Sequence, residues 1–238
     1  MNKIADLYRR CNEKNMITNT GFLTPTEQAE ILKENYYNFV LFGGNQECDR
    51  KMGFFLPDYC SDSDIDFGDY ITAYRVRFSF EKLSHRDFLG ALMGLGIKRE
   101  CIGDIYIFDN VAYFYSTKEI TKFIMLNLDK VGRAGIKLEE ISLEDVIIPE
   151  VELKRLRYTV QSVRLDSILA KAYNISRENM VKKIQAGLVF LNYLECQNVS
   201  NIVKEGDVIS VKGLGKIKVI SCNDKSSKGR CIVEIDKY

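Results

Sequence analysis

Apolar positions along the chain change period several times, and each change marks an element. Ile4, Leu7, Tyr8 and Cys11 recur at helical spacing and predict a first helix. Thr24-Pro25-Thr26-Glu27 supplies a capping hydroxyl, a proline at the first helical position and an acid three residues after the cap. A second helix is therefore expected from Pro25 to about Asn38, with short strands following at Phe39–Phe42 and Gly53–Leu56. From Ile71 to Phe80 the period becomes two: Arg75 and Arg77 share one face, Tyr74, Val76, Phe78 and Phe80 the other. Ser84 caps a helix that reaches about Leu95, where Gly96 ends it. Asp104–Phe108 and Val111–Tyr115 flank Asp109-Asn110 as a hairpin. Thr117 opens a helix to about Asp129, and Ile136–Ile141 supplies a last strand.

This order, β-α-β-β-α-β, predicts an RRM-like sheet with two helices on one side. Tyr106, Phe108, Tyr113 and Tyr115 are available to stack bases on its other face. The glycine-aromatic signature of a true RRM is absent, and core packing is the commoner fate of such rings. Past a polar hinge containing Lys154, Arg155 and Arg157, a new pattern starts at Val163. Leu165, Ile168 and Leu169 make the apolar face of a short helix. Ser176 caps a second one over Arg177–Ala186, with Met180, Val181 and Ile184 inward and Gly187 at its end. Strands are expected at Leu188–Asn192, Val208–Val211 and Ile217–Ser221, then a tip at Asn223–Gly229 and a final strand. The result is a helix pair on a small bent sheet.

The 238 residues, 46% of them hydrophobic with only three Pro, suit two or three compact units rather than disorder. No apolar run reaches membrane-spanning length, and Met1–Asp6 lacks a signal peptide, so a cytoplasmic protein without a membrane partner is expected. Seven widely spaced Cys, no CxxC pair and a single His argue for reduced thiols and against structural zinc. Cys222 and Cys231 can face each other across a hairpin without forming a disulfide. No metal and no cofactor are expected. Charge is uneven: residues 161–238 hold 13 Lys/Arg and 8 Asp/Glu, residues 1–160 hold 21 and 25. A basic module on an acidic body suggests a polyanionic partner. Arg164, Arg177, Lys182 and Lys183 belong to its helices. Lys212 and Lys216 flank a Gly-Leu-Gly turn where backbone can approach a phosphate. Arg75, Arg77, Arg86, Lys98 and Arg99 are secondary candidates for RNA contact in the central region.

Other motifs fail on spacing. Asp62, Asp64 and Asp66 imitate a calcium loop, but Phe67 stands where Gly is needed and Ala73 where the closing Glu belongs. His85-Arg86-Asp87 matches the kinase triplet, yet Leu92 occupies the required Asn position. Phe42-Gly43-Gly44-Asn45 is too short for a cofactor turn. His85, Asp87 and Arg99 would be the candidates in an RNA-modifying enzyme. No nucleophile or metal-ligand spacing accompanies them, and a helix N-terminal turn accounts for Asp87, so no catalytic residue is assigned. Arg164 has a local alternative, pairing with Asp166.

Arg164-Leu165-Asp166, Ser176-Arg177, Ile184, Gly187, Val189, Asn192, Gly206-Asp207 and Ile209 together resemble the S4 domain. The resemblance implies binding of structured RNA through the helix pair, with contact roles for Arg164, Arg177, Lys182 and Lys183. The stretch from His85 to Arg99, with Gly103-Asp104-Ile105, resembles the central region of YlmH-type S4 proteins, which bacteria carry near cell-division genes. That family implies a ribosomal role: binding stalled large subunits that carry peptidyl-tRNA, holding tRNA and 23S rRNA, and supporting alanine tailing without catalysing it. One departure stands out. Lys212, Leu214 and Lys216 occupy a turn that is usually richer in Arg, and Lys keeps the charge while losing the bidentate fork.

The expected protein is α+β: an N-terminal α/β region (1–70), an RRM-like domain (71–150), a linker (151–162) and an S4 domain (163–238). It is expected to act as a monomeric, non-catalytic RNA-binding protein on the large ribosomal subunit. Two alternatives stay open, an RNA-modifying enzyme with an appended S4 domain and a cell-division-linked scaffold bound through its acidic body.

Overall fold

The Thr24 hydroxyl accepts the Glu27 amide at 3.3 Å, while Glu27 returns to the Thr24 amide at 2.7 Å. This capping box satisfies two donors that a helix start leaves orphaned. Around it, the computed structural model describes residues 3–79, 82–149, 153–226 and 229–238 and separates into two compact units, 1–149 and 150–238.

The first unit opens with α1 (Lys3–Lys14), β1 (Thr18–Leu23) and α2 (Pro25–Lys33), followed by β2 (Phe39–Phe42) and β3 (Lys51–Phe55). α2 stops short of Asn38 because Asn35 and Asn38 take φ of 49° and 52°, left-handed values that Asn tolerates. β1 was not legible as a strand, since two of its three inward positions are Thr18 and Thr20. Their hydroxyls are satisfied internally: Thr18 donates to the Leu7 carbonyl at 2.8 Å, and Thr20 accepts the Gly53 amide at 2.8 Å. The three strands form one antiparallel sheet in the order β1-β3-β2.

A five-stranded antiparallel sheet follows, built from β4 (Ile71–Phe78), β5 (Ile102–Phe108), β6 (Val111–Thr117), β7 (Lys130–Val131) and β8 (Ala134–Ile141) in the order β5-β6-β4-β8-β7. α3 (His85–Gly94) links β4 to β5, and α4 (Thr121–Asn127) lies between β6 and β7. Phe80, expected in β4, lies outside the described residues. A single 3-10 turn at Lys118–Ile120 delays the start of α4, and β7 is an added short strand. One sheet face is closed by Phe88, Leu92 and Ile124 of the helices over Tyr74, Val76 and Phe114. Ser84 and Asp87 cap α3, and Gly96 at φ 81° ends it.

The other face is where the expectation needs correction. Ile71, Ala73 and Tyr115 do not face solvent but share one core with Phe22, Met52 and Phe54 of the first sheet. Residues 1–70 and 71–149 are therefore one folding unit, not two. Gly44 makes the close approach possible, while Gly43 leaves room for Cys48 and the Arg50 carbonyl within the first sheet's own loop. A Cβ on Gly44 would sit 2.3 Å from the Tyr115 ring, and its φ of 113° suits only glycine. Of the four aromatics available for stacking, Tyr115 and Tyr113 are buried and Tyr106 and Phe108 half-buried.

The second unit contains β9 (Lys154–Val160), α5 (Leu165–Ala172), α6 (Arg177–Gln185), β10 (Val189–Leu191), β11 (Leu194–Glu195), β12 (Val208–Val211), β13 (Gly215–Ser221) and β14 (Cys231–Lys237). The strands form one antiparallel sheet, β11-β10-β12-β13-β14-β9. The expected linker is thus corrected in its main part: 154–160 is an edge strand paired with β14 from Cys231↔Val160 to Lys237↔Lys154. The hinge reading failed because the outward side chains of β9, Arg155 and Arg157, are charged, and they pair with Asp236 and Glu234. α5 and α6 pack Leu165, Ile168, Leu169, Met180 and Ile184 onto Val189, Ile209, Ile217, Val219 and Ile235. Each such full burial is worth about 1.5–3 kcal/mol. Cys222 and Cys231 are free thiols, and Lys225 rather than Cys222 bridges to Cys231.

Gly44→Ala should lower stability by about 2–4 kcal/mol, from overpacking against Tyr115 and backbone strain. Gly90→Ala in α3, where an added Cβ meets nothing within 4 Å, should be neutral or stabilising. Urea titrations of the two variants check this, and equal effects would contradict the packing account.

Candidate nucleic-acid interface

The basic helix pair is organised by one acid. Asp166 lies in the first turn of α5, where the helix dipole favours a carboxylate, and is 1% exposed. Its Oδ1 accepts from Arg164 Nε at 3.2 Å and its Oδ2 from Arg177 Nε at 2.6 Å. Burial pushes its carboxyl up, but the hydrogen bonds from Arg177 and Arg164 outweigh that and hold it below the usual carboxylate range. Arg164 is the N-cap residue of α5, pinned to the loop between β11 and β12 by a bridge to Ile202. Arg177 is the first residue of α6, after the Ser176 cap. Each arginine turns Nε inward, and their terminal amino groups form no hydrogen bond among the described residues.

The other candidates of this unit are placed differently. Lys182 pairs with Glu178 at 2.8 Å one turn back, while Lys183 is half-buried. Lys212 is exposed at the glycine turn, where Gly213 and Gly215 take φ of 83° and 110°. Lys216 lies 4.2 Å over the Tyr238 ring. The turn is tied to the end of α5 by Tyr173, whose hydroxyl donates to the Gly215 carbonyl at 2.9 Å, a link no sequence pattern announced. Among the described residues no hydrogen bond or ion pair joins Lys212 or Lys216 to the Arg164–Asp166–Arg177 group.

In the first unit, Arg75 gives Nε and Nη2 to Glu139 Oε2 at 3.0 and 2.8 Å, and Arg77 and Lys137 approach the same carboxylate at 3.8 and 3.6 Å. Three cations around one acid leave this patch positive. Arg86 and Lys98 are exposed. Arg99 is half-buried and donates to the Gly103 carbonyl at 3.3 Å, so it braces the turn into β5. Asp87 is explained by capping: it accepts the Ser84 amide at 2.8 Å, and these bonds lower its pKa. Asp64 and Asp66 likewise cap their own turns. Among the described residues no group of acids, His and Cys could hold a metal, and no helix is long and apolar enough to cross a membrane.

A family model described as "Putative RNA-binding domain in YlmH" matches residues 63–145. A relative from Bacillus subtilis (strain 168), the ribosome-associated protein quality control protein P2, is 31% identical over 223 residues, 92% of this chain and 86% of the relative. The chain belongs to the YlmH family. A solved YlmH structure, the cell division protein ylmH from Streptococcus pneumoniae, is 22% identical with a TM-score of 0.49, covering 60% of this chain and 89% of that one. The YlmH family model begins within the acidic turns before β4 and ends after β8, so it spans the five-stranded sheet.

Asp166 should titrate below the ordinary value of about 3.9 in a carbon NMR titration. Because its folded value is depressed, its contribution is complete above about pH 4 and is lost as pH falls through the folded value. Asp166→Asn should cost about 1–3 kcal/mol at neutral pH. The gap between the two proteins should close under acid in urea denaturation; a gap that persists there contradicts the assignment.

Proposed function

We propose that this YlmH-family protein is a non-catalytic RNA-binding factor of the large ribosomal subunit. It holds rRNA, tRNA or both while stalled nascent chains receive alanine tails in ribosome-associated quality control. The observation that carries this reading is the Asp166 carboxylate fixing Arg164 and Arg177 at the start of a helix pair with their outer amino groups unused. Planar guanidinium forks of that kind suit phosphate. The helix pair on a small sheet supports an S4 domain, and the strand order β5-β6-β4-β8 with α3 and α4 on one face supports an RRM-like first unit. In that unit the open part of the sheet offers Arg75, Arg77 and Lys137 rather than a row of bare rings. The Bacillus subtilis relative, named for ribosome-associated quality control, supports the address. A cytoplasmic, monomeric protein follows from this reading.

Co-sedimentation with large ribosomal subunits tests it. Arg177→Glu should weaken binding by about tenfold or more, measured at a temperature where circular dichroism shows the variant folded although its bond to Asp166 is lost. Wild-type affinity should fall steeply with salt, by about 0.7–0.9 logarithmic units per decade for each phosphate neutralised. Undiminished co-sedimentation of Arg177→Glu would sink the proposal.

A further inference from the structure

We infer that the second unit holds the RNA phosphodiester backbone in a groove beside Arg177, between Lys171 and Arg230. This rests on reading that unit as RNA-binding and adds Lys171 and Arg230 to its contacts. The groove, about 570 Å3 and open along one side, runs between the end of β9, one side of α5 and the turn into α6. Three of its lining residues are cations, Lys171, Arg177 and Arg230, and none is a carboxylate. Gln161, Ser167 and Asn174 add neutral donors. Ser167 and Lys171 stand at i and i+4 of α5, so one side of that helix forms the wall, and Asn174 follows just beyond its end.

The three cations come from three separate elements. Lys171 stands in the last turn of α5. Arg230 comes from the β13–β14 hairpin and is held there. Its carbonyl accepts the Ser226 amide at 2.7 Å, its amide donates to Ser226 Oγ at 3.1 Å, and the next residue, Cys231, pairs with Val160 at the end of β9. Lys171 and Arg230 make no ion pair among the described residues. Arg177 does, but only through Nε to a carboxylate that it shares with Arg164. With one carboxylate shared among them and Arg164, the cations of this group are in excess and repel one another, and an external anion relieves that cost. The chemistry shared by every candidate is phosphate. An open groove suits consecutive phosphates of a chain better than a lone ion, which gains most from an enclosed cage. Contacts of this kind position the backbone without reading bases, so they should act alike on all sequences.

The test uses the full-length protein and a fluorescent RNA stem-loop, titrated by anisotropy across a salt series. Lys171→Gln and Arg230→Gln should each weaken binding about tenfold. Each should also reduce the slope of log affinity against log salt by about 0.7–0.9. Both side chains are exposed, so thermal unfolding should not move. If both variants bind RNA like the wild type with the same slope while Arg177→Gln is weakened, the groove is overturned and the RNA-binding reading stands. If the wild type binds no RNA, that reading falls first. A third arm adds inorganic phosphate at constant ionic strength. Saturable phosphate binding that Arg230→Gln abolishes, with RNA affinity untouched, would overturn the inference in favour of a free-phosphate site.

Discussion

A carboxylate 1% exposed keeps its charge only with partners, and Asp166 has two. Taking it out of water costs several kcal/mol, and hydrogen bonds from two guanidinium groups offset that cost. The same bonds solve a positioning problem. Arginine is flexible and carries about 2 kcal/mol of side-chain entropy. Fixing Nε of Arg164 and Arg177 on one rigid carboxylate removes much of that freedom before any ligand arrives. The helix pair depends on the arrangement as well, since Asp166 joins the first turn of α5 to the first residue of α6. Acid, arginine placement and helix pairing are therefore one feature.

The first unit is governed by a different constraint. A five-stranded sheet with helices on one face leaves the other face to be covered or used. Here the three-stranded sheet covers the end bearing Ile71, Ala73 and Tyr115, and Gly44 lets the backbone come down onto the ring. Asn45 donates to the Tyr115 hydroxyl at 2.7 Å, and beside it burial pushes the Cys48 thiol up to about 11. That corner is a sealed core, not a reactive site. The other end carries Arg75, Arg77 and Lys137 around Glu139, a cluster whose chemistry matches phosphate rather than stacked bases.

How much of this could be read in advance varied with the physics. The helix starts at Thr24 and Ser84 were legible because capping is local chemistry, complete within four residues. The pairing of Arg164 with Asp166 was legible for the same reason, two positions apart. Arg177 reaching Asp166 was not, because eleven residues and a turn separate them. β1 hid behind threonines whose partners lie far along the chain, and β9 hid behind charges that only its pairing with Asp236 and Glu234 explains. Gly43-Gly44 was visible as a motif but not as a packing device, since the ring that requires Gly44 is Tyr115, far along the chain.

The central claim is that Asp166 presents two arginines to ribosomal RNA or tRNA. Ultraviolet crosslinking in growing cells, with sequencing of the attached RNA and mapping of the crosslinked peptides, tests it most directly. The account predicts large-subunit rRNA or tRNA attached to peptides spanning residues 164–185. No RNA above background, or crosslinks confined to residues 1–149, would contradict it.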